Sequence, residues 1–203
     1  MIPLFASFAP TSIHEVNFCS PVLQKAVMDI IAGKRNTNLL LFGEPGTGKS
    51  RVAELMIEDR YPGQKPTSFI YNGGDWDDTC LTSIEGMIDL QKMKGENQNL
   101  TVINEVDLLS ASGIAELRAF IDRFTDHHFV LTTNHAGKLP SSLINRCSAH
   151  QYDMEPPASV AIKIIGVIAS HGYQISFPDA LQLVADAKGS WRKLEDNIYS
   201  VLP

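Results

Sequence analysis

Eight consecutive residues, GEPGTGKS from Gly43 to Ser50, hold three glycines, a lysine and a hydroxyl at the spacing G-x-x-x-x-G-K-S. In that pattern Gly43, Gly46 and Gly48 can take backbone angles closed to other residues, so that consecutive amides turn inward around a phosphate at a helix start. Glu44, Pro45 and Thr47 complete the cradle. Lys49 is placed to neutralise β- and γ-phosphate charge, and the Ser50 hydroxyl to hold a magnesium ion. The chemistry implied is capture of a nucleoside triphosphate together with Mg2+.

A second stretch, TVINEVDLLS over residues 101–110, brings a carboxylate to the end of an apolar extended run. Glu105 is placed there to polarise an attacking water, and Asn104 stands where an aspartate ordinarily accepts hydrogen bonds from the water shell of magnesium. Asparagine keeps an acceptor oxygen but gives up a unit of negative charge beside a divalent cation. That exchange weakens Mg2+ organisation more than nucleotide binding and leaves the base in place, so hydrolysis is impaired rather than excluded. After HFVLTT comes Asn134, whose amide can reach the water and the γ-phosphate, and HAGKLPSSLINRC then carries Arg146 on a short helix.

These groups need a scaffold that delivers several strand ends to one edge. Short β-rich apolar runs alternate with amphipathic stretches, the pattern of a parallel sheet with helices on its faces. The pattern predicts strands at 38–42, 67–71, 100–104, 128–133 and 149–153, with helices near 20–33, 49–59, 79–93, 111–124 and 140–146. Pro156 and Pro157 interrupt it, since successive prolines supply no amide donors and force the preceding residue to be extended. The expected domains are an α/β phosphate-loop domain over 1–156 and a small helical domain over 157–203. The latter has helices at 158–171, 178–187 and 190–201, and Trp191, Leu194, Ile198 and Val201 recur in the last at the spacing of one buried stripe.

Composition narrows the partners. Seventeen Lys and Arg against 23 Asp and Glu give a net charge of −6, which argues against a broad basic face for nucleic acid and leaves only local DNA contact. Cys19, Cys80 and Cys147 have no metal-ligand spacing, and an odd count without a signal peptide fits buried free thiols in a reducing cytoplasm. No apolar run approaches the ~20 residues of a membrane-spanning helix.

Taken in order, GEPGTGKS, INEVD, TTN and LINRC resemble an AAA+ ATPase, and within that superfamily the small motor subunits of sliding-clamp loaders. FAPTSIHEV (8–16) is similar to the segment that lines the adenine pocket, FIYNGGD (69–75) to the segment after the second strand, AELRAFIDRF (115–124) to an arginine-bearing helix, and GSWRKLEDNI (189–198) to the lid. The resemblance implies a P-loop NTPase of AAA+ type, a five-stranded parallel sheet sandwiched by helices and followed by a three-helix lid, with ATP and Mg2+ as cofactors. Asn134 matches sensor 1 and Arg192 sensor 2. Arg146 matches the arginine finger that completes a neighbouring subunit's site in trans, and Arg118 a second helix arginine with a similar role. Implied partners are the neighbours in a homo- or hetero-oligomeric ring or spiral, with a sliding clamp and primer-template DNA. Two departures stand out: Asn104 for the aspartate, and Asn145 for the serine of the usual SRC. The helical collar that follows the lid in such subunits has no counterpart before Pro203, so either a fragment or a minimal relative is expected. Another AAA+ remodeller or helicase loader, and a low-turnover regulatory subunit, are the alternatives.

Overall fold

Asn38–Phe42, NLLLF, has its three leucines completely buried, as a strand covered on both faces must. It is the first of five strands in a computed structural model that describes residues 9–35, 37–63, 66–95 and 99–201. In chain order these are β1 (Asn38–Phe42), β2 (Ile70–Asn72), β3 (Asn99–Asn104), β4 (His127–Thr133) and β5 (Cys147–Gln151). They form one parallel sheet in the order β2-β3-β4-β1-β5. Among the described residues the helices are α1 (Pro21–Ile31), α2 (Lys49–Arg60), α3 (Asp78–Met93), α4 (Ala111–Arg123), α5 (Ser141–Ile144), α6 (Pro157–Ser170), α7 (Phe177–Asp186) and α8 (Trp191–Val201).

The chain divides into two compact units. The sheet unit comprises Ser20–Gly43 and Lys49–Gln151. Strand side chains alternate between faces, so Leu40, Ile103, Phe129 and Leu131 join one cluster with Ile84 and Ile88 of α3 and with Leu117 and Phe120 of α4. Leu39, Leu41, Val102 and Val130 then point to the opposite face, and all are fully buried. Local signals set the helix limits: the Ser110 hydroxyl accepts the Gly113 N–H at 3.0 Å to start α4, and Gly33, at φ 67°, follows the end of α1. The helical unit holds residues 9–19, Glu44–Gly48 and 152–201. Its core is Val160, Ala161, Ile164 and Ile168 of α6 against Ala180 and Val184 of α7 and Leu194 and Ile198 of α8.

Several boundaries differ from the sequence pattern. Residues 66–69 form a 3-10 turn, which takes in the first three residues of the strand expected at 67–71 and delays β2 to Ile70. β5 runs two residues earlier than 149–153, because the Asn38 side chain donates to the Arg146 carbonyl at 3.1 Å and pairs Asn38 with Cys147. Tyr152 and Met154 then belong to the helical unit, so the units part at Gln151 and not at Pro156, and the helical unit also takes in residues 9–19 and Glu44–Gly48. In α8, Leu194 and Ile198 are buried as the stripe requires, but Val201, at the end of the helix and past that core, is exposed. None of the cysteines is fully buried: Cys19 is exposed, and Cys80 and Cys147 are intermediate. Burial still pushes the Cys147 thiol up to about 12. Among the described residues, no helix is long and apolar enough to cross a membrane.

Candidate functional site

Parallel pairing brings the C-terminal ends of β1, β3 and β4 to one edge of the sheet. Phe42 lies opposite Thr133 and Ile103 opposite Leu131, so Asn104 ends β3 while Gly43 and Asn134 directly follow β1 and β4, at closely matched levels. Lys49 opens α2, is almost wholly buried, and donates from Nζ to the Gly43 carbonyl at 2.9 Å. Gly43 itself has φ 150°. Ser50, the next residue of α2, is exposed.

At the end of β3 two neighbours have opposite environments. Asn104 is buried and its Oδ1 accepts from the Thr132 hydroxyl at 2.9 Å. Glu105 is exposed, and its backbone is left-handed at φ 54°, ψ 47°. Its N–H donates to Thr132 Oγ1 at 3.2 Å. A hydroxyl has one hydrogen; with its oxygen accepting from Glu105, that hydrogen goes to Asn104. The carboxamide therefore turns its oxygen to Thr132, and the rest of the group ends in an N–H donor where an aspartate would have a second acceptor oxygen. Thr133 extends the same network, donating to Asp107 at 2.6 Å and accepting from the His135 N–H at 2.9 Å. Asn134 stands half-buried between those two anchored residues.

Arg146 follows α5 and is held within its own chain. Its Nε and Nη2 reach the two Asp122 oxygens at 2.7 and 2.6 Å, and Nη1 donates to the Ser142 carbonyl. The hydrogen bond from Arg146 holds the Asp122 carboxyl below its usual range and raises the guanidinium in turn. Arg118, four residues before Asp122 on α4, adds its charge to the same carboxylate. Its Nε is buried without a hydrogen-bond partner among the described residues.

In the helical unit the loop Glu44–Gly48 is built around small residues. Gly46 and Gly48 have φ 83° and 101°. A side chain on Gly46 would lie 2.3 Å from Ser190 Oγ, while the Gly46 carbonyl accepts the Trp191 N–H at 2.9 Å. The buried Thr47 hydroxyl donates to the Glu44 carbonyl at 3.1 Å; Glu44 and Pro45 are exposed. Arg192 is exposed in the first turn of α8, directly after the residue bonded to Gly46. Of the segment 8–16, Phe8 lies outside the described residues; Ser12 caps a short turn over Ile13–Glu15, with Ile13 buried.

The sheet unit thus joins Asn104 with Glu105, and Arg146 with the helix of Arg118. The partners that fix them, Thr132 and Asp122, carry no motif of their own in the sequence; a pair of threonines ending a buried strand is the signal for the first. Among the described residues no group of three or more His, Cys, Asp or Glu could hold a metal, so a divalent cation here would need phosphate oxygens besides Ser50 and Asn104. Within the sheet unit, Lys49 at the start of α2 and the Ser50 hydroxyl beside it are groups that suit a magnesium-bound triphosphate.

A family model for the "ATPase family associated with various cellular activities (AAA)" matches residues 39–153. Among curated proteins the chain is similar to replication factor C subunit 3 of Saccharomyces cerevisiae, 22% identical over 98% of this chain and 59% of that one. It is also similar to the replication factor C small subunit of Archaeoglobus fulgidus, 22% identical over 92% and 59%. Among solved structures, the Thermotoga maritima RuvB Holliday junction branch migration motor shares its fold with a TM-score of 0.68 at 17% identity, covering 94% of this chain and 63% of that one. The chain spans less than two thirds of the length of each of these relatives.

Proposed function

Because this chain belongs to the AAA family of ATPases, we propose that it binds ATP with Mg2+ and hydrolyses it as one subunit of a ring or spiral, in the manner of a clamp-loader motor. The observation that carries the reading is the contrast at the end of β3, where a buried Asn104 is tied down and the next residue, Glu105, is exposed in a left-handed conformation. A non-glycine residue in that region is strained by about 1–3 kcal/mol, and such strain gathers at sites of chemistry. Glu105 is the general base for the attacking water. Residues 43–50 hold the phosphates, with Lys49 leaving the Gly43 carbonyl for them. Ser50 would hold the magnesium ion, with Asn104 beside its water shell, and the ion would supply charge neutralisation at the phosphoryl oxygens. Asn134 orients the water, and Arg192 reaches the same subunit's nucleotide. Arg146, with Arg118, acts on the nucleotide of a neighbour.

The partners follow from the same reading: like subunits on either side, a sliding clamp and primer-template DNA. With a net charge of −6, DNA contact is local and depends on assembly. One observation favours a second reading, a regulatory subunit of low turnover: the Asn104 oxygen is already engaged by Thr132, and the other end of its side chain is an uncharged N–H donor.

Nucleotide binding and turnover of the purified chain, with and without clamp and primer-template DNA, test this. Lys49→Ala loses ATP binding, and Glu105→Gln keeps binding and loses turnover. Unchanged ATP affinity in Lys49→Ala overturns the site. Turnover that responds to a replicative helicase and ignores the clamp assigns the motor to helicase loading instead. Negligible turnover under every condition, with tight binding, selects the regulatory reading.

A further inference from the structure

Glu105 and Lys188 are the two non-glycine residues with positive φ among the described residues. Among the described residues the Glu105 side chain has no hydrogen-bond partner, so the direction in which it leaves the end of β3 is set by its backbone. An L-residue stays left-handed only where its surroundings over-determine it. Here the peptide groups on both sides of Glu105 are gripped. On the N–H side the grip is Thr132 Oγ1 at 3.2 Å, itself anchored by its 2.9 Å bond to Asn104 Oδ1. Thr132 is 1% exposed, so water cannot take over either bond.

On the carbonyl side, Glu105 O accepts the Leu108 N–H at 2.9 Å in the turn Val106–Leu108. It also rests directly on Gly73, in the turn after β2. A Cβ built on Gly73 would sit 2.2 Å from Glu105 O, 3.0 Å from its carbonyl carbon and 3.3 Å from Asn104 O. Those atoms are backbone and cannot swing aside as a side-chain tip can. Gly73 is buried and has an ordinary φ, so glycine is required there for close approach and not for conformational freedom.

We propose that Thr132 and Gly73 are positioning residues of the hydrolytic site: together they clamp the Glu105 backbone in its left-handed conformation and thereby aim the carboxylate. The proposal rests on the reading of Glu105 as the general base. It makes the β2–α3 turn and the end of β4 working parts of a site to which neither contributes a reacting atom.

The test compares Thr132→Val, which keeps the shape and removes both hydrogen bonds, with Thr132→Ser, which keeps the hydroxyl. Gly73→Ala displaces the Glu105 carbonyl from a separate segment, and Glu105→Gln is run in parallel. Single-turnover ATP hydrolysis, the Kd for a magnesium-bound non-hydrolysable ATP analogue and thermal melting are measured for each. Thr132→Val and Gly73→Ala lower the hydrolysis rate by roughly 10- to 100-fold, the loss expected when a catalytic group moves by about 1 Å, with analogue affinity held within about two-fold. Thr132→Ser restores most of the rate. Wild-type rates in Thr132→Val and Gly73→Ala, with Glu105→Gln inactive, overturn the clamp alone; a wild-type rate in Glu105→Gln overturns the base assignment and the clamp with it. Equal loss in Thr132→Val and Thr132→Ser, or affinity falling in step with rate, means general loosening and overturns the proposal. If Thr132→Val does not fold, Gly73→Ala decides by the same two criteria.

Discussion

Asn104 and Arg146 both lie in the sheet unit, yet they are held on different terms. Asn104 is 6% exposed and fixed to Thr132, itself buried, in a network with a strained neighbour. The Arg146 side chain is 30% exposed and its partner Asp122 is 54% exposed. Buried bonds are costly to break, because each group left behind is unsatisfied, by about 1–3 kcal/mol. An exposed ion pair costs less to open than a buried bond, because water receives both charges when it does. A group that serves its own subunit gains from being fixed. A group that must leave for a neighbour's phosphate has to be held loosely, and Arg146 meets that condition.

The largest expected effect breaks the comparison at its exposed end. If Arg146 completes a neighbour's site, Arg146→Ala retains ATP affinity and loses assembly-stimulated turnover on the order of 10³-fold. Mixing it with Glu105→Gln restores part of the turnover wherever an intact site meets an intact arginine. An assembly that forms from the mixture, seen by native mass measurement, and stays inactive shows Arg146 to be a local structural residue.

A second test concerns the buried side, at the opposite end of the same strands. His127 opens β4, is nearly buried, and bonds Thr101 on β3 at 2.8 Å, while burial lowers its pKa to about 3. The unfolded chain takes up a proton near pH 6.5 and the folded one does not until about pH 3. Stability is therefore complete above pH 6.5 and falls as pH drops below it, by about 2 kcal/mol at pH 5 for this group. Urea melts of wild type and His127→Gln at pH 7.5 and pH 5 check this; the variant loses that share of the acid sensitivity. Equal pH dependence in both proteins places the sensitivity elsewhere.

This division also marks what could be read from the sequence. NLLLF announces a strand covered on both faces, and GEPGTGKS announces its own strand-loop-helix context. Both signals are local. β5 is partly exposed along its length, so its apolar pattern is weak, and its register comes from the Asn38 side chain. The partners of the site residues are set by topology: Thr132 meets Asn104 across 28 positions and Asp122 meets Arg146 across 24. No spacing rule links such pairs: Thr132 and Asn104 meet only once β3 and β4 lie side by side, and Asp122 and Arg146 only once α4 has packed beside the chain that follows α5. The left-handed angle at Glu105 was equally hidden, since nothing in NEVD favours it.

Asn104→Asp sharpens the buried side. Aspartate accepts the same Thr132 bond and presents a second oxygen, adding one charge beside the cation. Turnover is expected to rise up to about tenfold, about 1.4 kcal/mol of barrier, with a lower Mg2+ concentration for half-maximal rate and nearly unchanged ATP affinity. Equal rates for wild type and variant across a magnesium titration show that the asparagine is no brake.

The smallest effect lies in the pair that holds Arg146 at home. Asp122→Asn keeps the shape of the partner and weakens its hold, so a neighbour's γ-phosphate no longer competes with a full carboxylate. Because the pair is exposed, its loss shifts that competition only modestly, a gain of at most roughly five-fold in assembly-stimulated turnover at fixed protein concentration. The gain is itself salt-dependent: at about 0.5 M NaCl screening already weakens the pair in wild type, and the two proteins converge. Turnover of the unassembled chain stays where it was, because Asp122 touches nothing in its own nucleotide site. If Asp122→Asn instead loses turnover, the carboxylate aims Arg146 toward the neighbour, and this end of the molecule is as fixed as the buried one.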